Sequence, residues 1–276
     1  MSSTRDIKRK IRTIRSIDQI CRAMKTVASI RLRRAEQQLR RYRPYRAKLA
    51  DLVAQVGAVT QEHPFLKERP IEKTALVLVT SDRGLCGGYN ANAVRRALAL
   101  GEPPGTVVVV VGRKGLGQMR RRGYEVLDQI VPLGGRPDPH AIRRLADRLG
   151  GRYEAGELDR LVLVYAEFLG GTRHEVRADV VLPVKPKEAA FAEVIFEPAP
   201  RAMLPGLMRR YLRAEVLGAV LSASASEHAA RVAAMTAATD NAEDMMQSLT
   251  LDYNKARQAA ITRDLAELVG AAEATT

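Results

Sequence analysis

Two glycine-dense segments are the parts of the sequence that come nearest to a nucleotide-binding site. GRKGLG, at Gly112–Gly117, follows a β-branched run and precedes a helical pattern, but its glycine order is reversed from the dinucleotide-binding fingerprint. SDRGLCGG, at Ser81–Gly88, lacks the Gly-Lys-Ser/Thr ending that gives a P-loop its lysine and its magnesium-binding hydroxyl. Both segments are therefore interpreted as tight turns.

The histidines and cysteines have no spacing that indicates metal binding or nucleophilic catalysis. Cys21 and Cys86 form no CxxC pair, so both are interpreted as small packing residues of a protein in a reducing compartment. His228 falls in a helical repeat, where a polar side chain can fix the register of a coiled coil. We expect a protein with no catalytic residue, no bound metal and no cofactor.

Positive charge is concentrated near the start of the sequence. The net charge is +14, and residues 5–46 hold 15 Lys and Arg against three acidic residues, which gives this segment +12. Such a basic rod predicts an acidic partner, which is either nucleic acid or a protein surface lined with Asp and Glu. The scarcity of aromatic residues and the absence of a helix-turn-helix or finger motif weigh against nucleic acid. A merely solvated face is the third interpretation, and uncompensated repulsion weighs against it.

Heptad repeats near the start of the chain predict a long helix over residues 1–57 that carries this charge. From Ile7, every seventh residue up to Val56 is small or apolar, except for an aromatic tyrosine. A second row between them is assigned to Ile11, Ile17, Met24, Leu32, Leu39, Tyr45 and Leu52.

A second long helix is predicted over residues 204–276. Its two rows start at Leu204 and Leu207, and no proline interrupts the segment between Gly206 and Gly270. At 1.5 Å per residue, a helix of roughly 64 residues is roughly 95 Å long and needs a partner helix along its length. The two ends of the chain are therefore predicted to pair as an antiparallel coiled coil.

The intervening residues 74–196 alternate between β-branched runs and helical patterns. Strands are predicted at Thr74–Thr80, Thr106–Gly112, Tyr124–Val131, Arg160–Phe168, Val176–Pro183 and Phe191–Phe196, and helices at Ala91–Leu100, Arg113–Arg122 and Asp138–Gly150. This alternation is typical of a small, mostly parallel sheet with helices on its faces, a Rossmann-like α/β domain. Residues 58–73 lose the heptad and contain two prolines, so they are interpreted as a linker.

Three segments, in this order, resemble the gamma subunit, or central rotor shaft, of F-type ATP synthases. They are IDQICRAMKTVAS at Ile17–Ser29, SDRGLCGGYN at Ser81–Asn90, and AATDNAEDMMQSLTLDYNKARQAAITRDLAEL at Ala237–Leu268. The resemblance covers essentially the whole chain. It implies an antiparallel coiled coil formed by the two ends, with an α/β domain at its foot.

The resemblance also implies a mechanical role and a set of partners. Such subunits pass through a ring of three alpha and three beta subunits, contact an epsilon subunit, and turn with the c-ring of the membrane. ATP chemistry belongs to the beta subunits, so the chain is expected to be a non-catalytic subunit without a cofactor. Its expected location is peripheral, on the cytoplasmic face of the bacterial inner membrane, with no transmembrane segment.

Several contact residues follow from the resemblance alone. Met24 and Arg231 match positions near an acidic lever segment of a beta subunit, and the basic face with Arg31, Arg33 and Arg34 is expected to pass the same segment. Further matching positions are Arg83 for the lower part of the catalytic ring, Arg257 and Gln258 for a loop of the empty-site beta subunit, and Glu197 for the epsilon subunit and the c-ring. Thr262 lies one turn further along the face of Arg257 and Gln258 and is expected to be a subunit contact as well.

The last residues, Ala259–Thr276, are small, apolar and weakly charged, and the resemblance implies that they turn in an apolar bearing. Two departures from the family pattern fall in this tip. Asp264 stands where the family has Glu, and the closing pair Gly270-Ala271 comes one residue early.

Overall fold

A computed structural model describes residues 4–60, 62–133, 137–185, 197 and 199–273. The elements in chain order are α1 (Thr4–Val59), a short 3-10 helix (Pro64–Leu66), β1 (Thr74–Val79), α2 (Tyr89–Leu98), β2 (Thr106–Val111), α3 (Arg113–Arg121), β3 (Glu125–Ile130), α4 (Pro139–Glu154), β4 (Arg160–Gly170), β5 (Arg173–Leu182) and α5 (Pro200–Glu273). The chain forms two compact units. The first comprises Met1–Val27 with Val232–Thr276, and the second comprises Ala28–Arg231.

The second unit contains a five-stranded sheet in the order β3-β2-β1-β4-β5. The first four strands are parallel, and β5 pairs antiparallel with β4 at one edge. Every residue of β1 and β2 is buried, as expected for continuous β-branched runs in a parallel sheet covered on both faces. The predicted mostly parallel α/β sheet is confirmed.

Side chains of alternate strand residues divide between two cores. On one face, Leu76 and Val108 pack with α2 and α3. On the other face, Val77 and Val109 join a larger core that contains α4 and the second-unit segments of α1 and α5. This alternation follows from the two-residue period of a strand, and it produces three layers.

One stretch of α5, residues 214–226, is buried at every position and therefore on all sides of the helix. Its sequence, AEVLGAVLSASAS, consists mainly of small residues, which let neighbouring elements approach the helix closely. Ser222 Oγ accepts a hydrogen bond from Phe168 N at 2.9 Å, and Ser226 Oγ donates to Ala166 O at 2.9 Å, so two serines fasten α5 to the end of β4.

The two long helices run antiparallel, as predicted. Arg22 of α1 pairs with Glu243 of α5 in the first unit, and Arg46 pairs with Glu215 in the second, so rising numbers on one helix meet falling numbers on the other. The predicted first row of α1 is buried or half-buried throughout from Ile7 to Val56. The α5 row that includes Leu207 is buried as far as Ala242.

The second row predicted for α1 is wrong at three positions. Ile17, Tyr45 and Leu52 are 49%, 51% and 42% exposed. The inward positions lie one residue further on and include Asp18, which is 7% exposed, and the half-buried Arg46. At two of these three positions the residue that faces inward is charged, and its charge is paired. Asp18 accepts two hydrogen bonds from Arg22 Nε at 2.9 and 3.0 Å, so its carboxylate is buried at low cost.

Arg46 and Glu215 form a buried ion pair between α1 and α5. Arg46 Nε donates to Glu215 Oε1 at 2.9 Å, and Nη2 donates to Oε2. Gly218 provides the space for this arrangement, because a Cβ at that position would lie 2.9 Å from Arg46 Cδ. The burial of Glu215 and the partial burial of Arg46 are tolerable because the two charges satisfy each other.

Both long helices are continuous through an internal proline, Pro44 in α1 and Pro205 in α5. The strand predicted at Phe191–Phe196 lies outside the described residues, as do the side chains of Asp264 and Ala271. The division into domains at 1–57, 74–196 and 204–276 stays a prediction.

The buried and the exposed interhelical ion pairs are expected to differ strongly in their effect on stability. Glu215→Ala leaves the Arg46 guanidinium buried without its partner, so we expect the free energy of unfolding to fall by about 3–5 kcal/mol. Glu243→Ala removes the exposed partner of Arg22 and should cost much less, because water screens an exposed ion pair. Urea unfolding of both variants measures the difference, and equal losses would contradict the structural role assigned to the Arg46–Glu215 pair.

Candidate functional site

The basic face of α1 is exposed. Arg31, Arg33 and Arg34 are all exposed on this helix in the second unit. Within the part of the chain that the structure describes, no hydrogen bond or ion pair joins the side chains of Arg33 and Arg34 to another residue. These two guanidinium groups are therefore available to an acidic partner.

In the first unit, the surface combines positive charge with apolar side chains. Ile17, Ile20 and Val27 of α1 are each about half exposed, although three of the neighbouring residues are arginine or lysine. Exposed apolar residues on α5 are Met245, Leu251, Ile261 and Leu265. Apolar side chains exposed along two paired helices indicate contact with another protein. The half-buried Met24 lies on the same segment of α1.

The SDRGLCGGYN loop, Ser81–Asn90, is held rigidly between β1 and α2. Ser81 N donates to Asn90 Oδ1 at 2.9 Å, and Asn90 Nδ2 donates to Ser81 Oγ at 2.8 Å, which closes the loop at its base. Tyr89 is buried and donates its hydroxyl to Ala223 O of α5 at 3.1 Å. The loop is thereby fixed, and Arg83 and Leu85 at its tip are exposed.

The two glycine-dense turns contact each other, and the backbone amides of Gly112–Gly115 are occupied. Asp82 Oδ1 accepts from Arg113 N at 3.1 Å, and Thr80 Oγ1 accepts from Gly115 N at 2.9 Å. Gly112 has φ +94°, and a Cβ there would lie 2.1 Å from Thr80 O, so only glycine fits. The amides of Gly112–Gly115 thus bond to other groups of the protein and are not free to hold a phosphate, which confirms the interpretation of Gly112–Gly117 as a tight turn.

Arg231 is buried in a polar cluster of α5, and it is only 8% exposed. Its Nη2 donates to Glu227 Oε1 at 2.8 Å and to Gly84 O at 3.4 Å, while Nη1 lies 3.2 Å from His228 Nδ1. Burial raises the pKa of Glu227 against the opposing effect of Arg231. The guanidinium of Arg231 therefore fastens α5 to the loop that presents Arg83.

His228, predicted as a polar position of the helical seam, is buried beside Arg231. Burial, together with the positive charges of Arg231 and Arg31, lowers its pKa to about 4. The imidazole is therefore neutral at physiological pH. Cys86 is a buried free thiol whose pKa is raised by burial, in keeping with a packing role.

The remaining predicted contact residues are exposed. Arg257, Gln258 and Thr262 lie on α5 in the first unit, and Glu197 precedes α5 in the second. The buried functional contacts that sequence reasoning missed are those of Arg46, Tyr89 and Ser226, each of which joins elements distant in sequence. None of the described helices is both long and apolar enough to span a bilayer.

The family model described as ATP synthase matches residues 3–275. The chain is 40% identical over 279 residues to the ATP synthase gamma chain of Desulfitobacterium hafniense, with 99% of each protein covered. It is 41% identical over 282 residues to the ATP synthase gamma chain of Moorella thermoacetica, again with 99% of each covered.

Solved structures show the same fold. A chain of the Euglena gracilis mitochondrial ATP synthase (OSCP/F1/c-ring, rotational state 3) matches with a TM-score of 0.71 and 20% identity, covering 99% of this chain and 94% of that one. A chain of the Tetrahymena thermophila mitochondrial ATP synthase central stalk and c-ring matches with a TM-score of 0.63 and 24% identity, covering 79% and 99% respectively.

The depressed pKa of His228 predicts that the protein loses stability in mild acid. Below the ordinary pKa of 6.5, the unfolded chain takes up a proton that the folded chain refuses until about pH 4, so stability falls as the pH falls through this window. From about pH 7 to about pH 5 the loss should be about 2 kcal/mol. His228→Gln should remove that loss, as measured by urea unfolding at both pH values.

The control is His140→Gln, which changes an exposed histidine and should leave the pH dependence of stability as it is in the wild type. Because carboxylates such as Glu227 also contribute to the pH dependence of stability, the quantity to compare is the change in stability between the two pH values, in the variant and in the wild type. An unchanged pH dependence in His228→Gln would contradict the assignment.

Proposed function

The chain belongs to the ATP synthase gamma-chain family, and from that premise we propose that it is a rotor subunit that carries torque between the membrane c-ring and the catalytic beta subunits. The observation that carries the proposal is the surface of the paired helices, which exposes apolar side chains beside basic residues in the first unit and Arg31, Arg33 and Arg34 in the second. The seam and the buried Arg46–Glu215 pair hold these helices to each other. Such a pair transmits force along its length while its surface meets successive partners.

The partners that we propose are three alpha and three beta subunits, an epsilon subunit and the c-ring. The ATP chemistry takes place on the beta subunits, and the gamma chain contributes no catalytic residue. Support comes from the gamma chains to which this chain is similar over 99% of its length. The alternative of a nucleic-acid-binding coiled coil finds no support among these relatives, and apolar side chains between cations fit a protein partner better than a phosphate backbone.

For the basic face, we propose contact with an acidic lever segment of each beta subunit in turn. Arg31, Arg33 and Arg34 are exposed, and ion pairs between exposed groups are worth only about 0–1 kcal/mol each. A contact built from several such weak pairs binds the acidic segment reversibly. The helix can therefore dissociate from one beta subunit and bind the next. Met24, which is half-buried on the neighbouring turns, supplies an apolar contact.

The buried position of Arg231 refines its proposed role. Because its guanidinium is engaged by Glu227 and Gly84, we assign it to positioning, with Arg83 at the loop tip making the contact to the lower part of the catalytic ring. Exposed Arg257 and Gln258 are proposed to contact a loop of the empty-site beta subunit, and exposed Thr262, one turn further on, is proposed to lie at the same interface. Exposed Glu197 is proposed to face the epsilon subunit and the c-ring.

The proposed location is the cytoplasmic face of the bacterial inner membrane, where the chain is a peripheral part of the synthase. Support comes from the bacterial gamma chains among its relatives. Purification through a tag on this chain tests the assignment. Alpha and beta subunits should co-purify in a ratio of three of each to one tagged chain, and their absence under gentle extraction would contradict the assignment.

Reversal of the charges at Arg31, Arg33 and Arg34 to Glu should impair coupling without unfolding the protein. The three side chains are exposed, so we expect the protein to stay folded, with a change in melting temperature only from Arg31, whose charge acts on Glu227 and His228. Repulsion from an acidic lever should lower proton-driven ATP synthesis several-fold. The measurement is ATP synthesis and ATP-driven proton pumping in membrane vesicles that contain the assembled complex.

A matched control reverses Arg120, Arg121 and Arg122, which are also exposed and change the net charge by the same amount. This triple variant lies at the end of α3 and should retain synthesis. If both triple variants lose activity equally, total charge is responsible. If the first retains full synthesis, the lever contact is wrong.

A further inference from the structure

A groove of about 440 Å³ lies among α1, α4 and α5 in the second unit. Its walls carry three guanidinium groups, from Arg143, Arg210 and Arg213, and two phenol rings, from Tyr42 and Tyr45. The volume falls within the range of small-molecule sites in proteins. None of its described lining residues is a carboxylate, so the groove has a cationic wall.

The charges of the three arginines are only partly compensated. Arg213 forms two hydrogen bonds with Asp147, at 2.5 and 2.9 Å. Arg143 donates only to Pro139 O, at 3.2 Å, and lies 3.4 Å from His140 Nδ1, so it meets no carboxylate. Arg210 has no ion pair or hydrogen bond within the described chain. Arg143 and Arg210 therefore place two cationic groups without an acidic partner in one groove, and this arrangement favours the binding of an anion.

The tyrosines indicate that the ligand also has a flat ring. The rings of Tyr42 and Tyr45 lie 5.6 Å apart and are inclined by 52°, and Leu217 adds an apolar surface. Aromatic side chains of this kind bind flat rings by stacking. A single inorganic phosphate would leave most of the groove empty. A ligand that joins several phosphate groups to a planar ring would contact both the arginines and the tyrosines.

We propose that this groove binds a nucleoside polyphosphate, with its phosphates on Arg143, Arg210 and Arg213 and its base against Tyr42 and Tyr45. Guanidinium groups bind phosphate oxygens through paired hydrogen bonds, which suits a ligand with several phosphoryl groups. The amino end of α4 contributes nothing to the anion, because Asp138 already accepts hydrogen bonds from the amides of His140 and Ala141.

The test is isothermal titration of the full-length chain with ADP, pyrophosphate and adenosine. ADP should bind with one site per chain, and its affinity should fall with rising salt. Arg210→Gln should weaken ADP binding about tenfold or more, since it removes a charge-assisted contact to phosphate. Tyr45→Leu should weaken ADP binding while leaving pyrophosphate binding unchanged.

The matched control is Arg209→Gln, which removes the same charge from the neighbouring residue of α5. Arg209 lies instead at a different groove, where Nη2 is 3.9 Å from Glu154 Oε2, so ADP affinity should stay within about twofold of the wild type. Circular dichroism and thermal unfolding of every variant establish that the fold is retained.

Three outcomes would overturn the site. The first is no saturable ADP binding to the folded chain, and the second is an equal loss in Arg209→Gln and Arg210→Gln. The third is binding of poly-glutamate that Arg210→Gln abolishes and that ADP fails to displace, which would assign the groove to an acidic peptide. None of these outcomes bears on the proposed rotor function, which rests on other surfaces.

Discussion

The buried pairing of Arg46 with Glu215 is the constraint on which the arrangement of α1 and α5 depends. A seam of alanines and leucines tolerates slippage, because neighbouring small residues are nearly interchangeable. An ion pair inside the seam does not tolerate slippage, since a shift of one helix by one turn would leave both charges without partners. Gly218 strengthens this selection, because Arg46 crosses α5 at the one glycine of the buried stretch. The Arg46–Glu215 pair therefore sets the register of the two helices.

A second set of polar contacts joins the helices to the sheet. Tyr89, Ser222 and Ser226 each bond to a backbone group of another element, and Arg231 bonds to the carbonyl of Gly84. Because these partners are backbone atoms, the hydrogen bonds fix the position of α5 along the sheet as well as its distance from the sheet. The exposed Arg83 is consequently presented by a loop whose base and flanks are both held, which favours a contact made without reordering the loop.

Most of the fold could be predicted from periodicity. The strands Thr74–Val79 and Thr106–Val111 were evident because continuous β-branched runs have few alternatives, and the first helical row was evident because its spacing is regular. The second row failed where charged residues face inward, since Asp18 and Arg46 look like surface residues until their partners are known. For the same reason, the burial of Arg231 could not be read from the sequence: its partner Gly84 lies 147 residues away.

The stretch of α5 enclosed on every side, residues 214–226, has a mechanical consequence. A helix that is packed on all sides resists local overwinding and unwinding. A change of its pitch would displace side chains that already contact the sheet on one face and α1 on the other. Twist applied at one end of the stretch must therefore emerge at the other almost undiminished. Elastic compliance, which stores energy between discrete steps, has to reside where the helices have free faces.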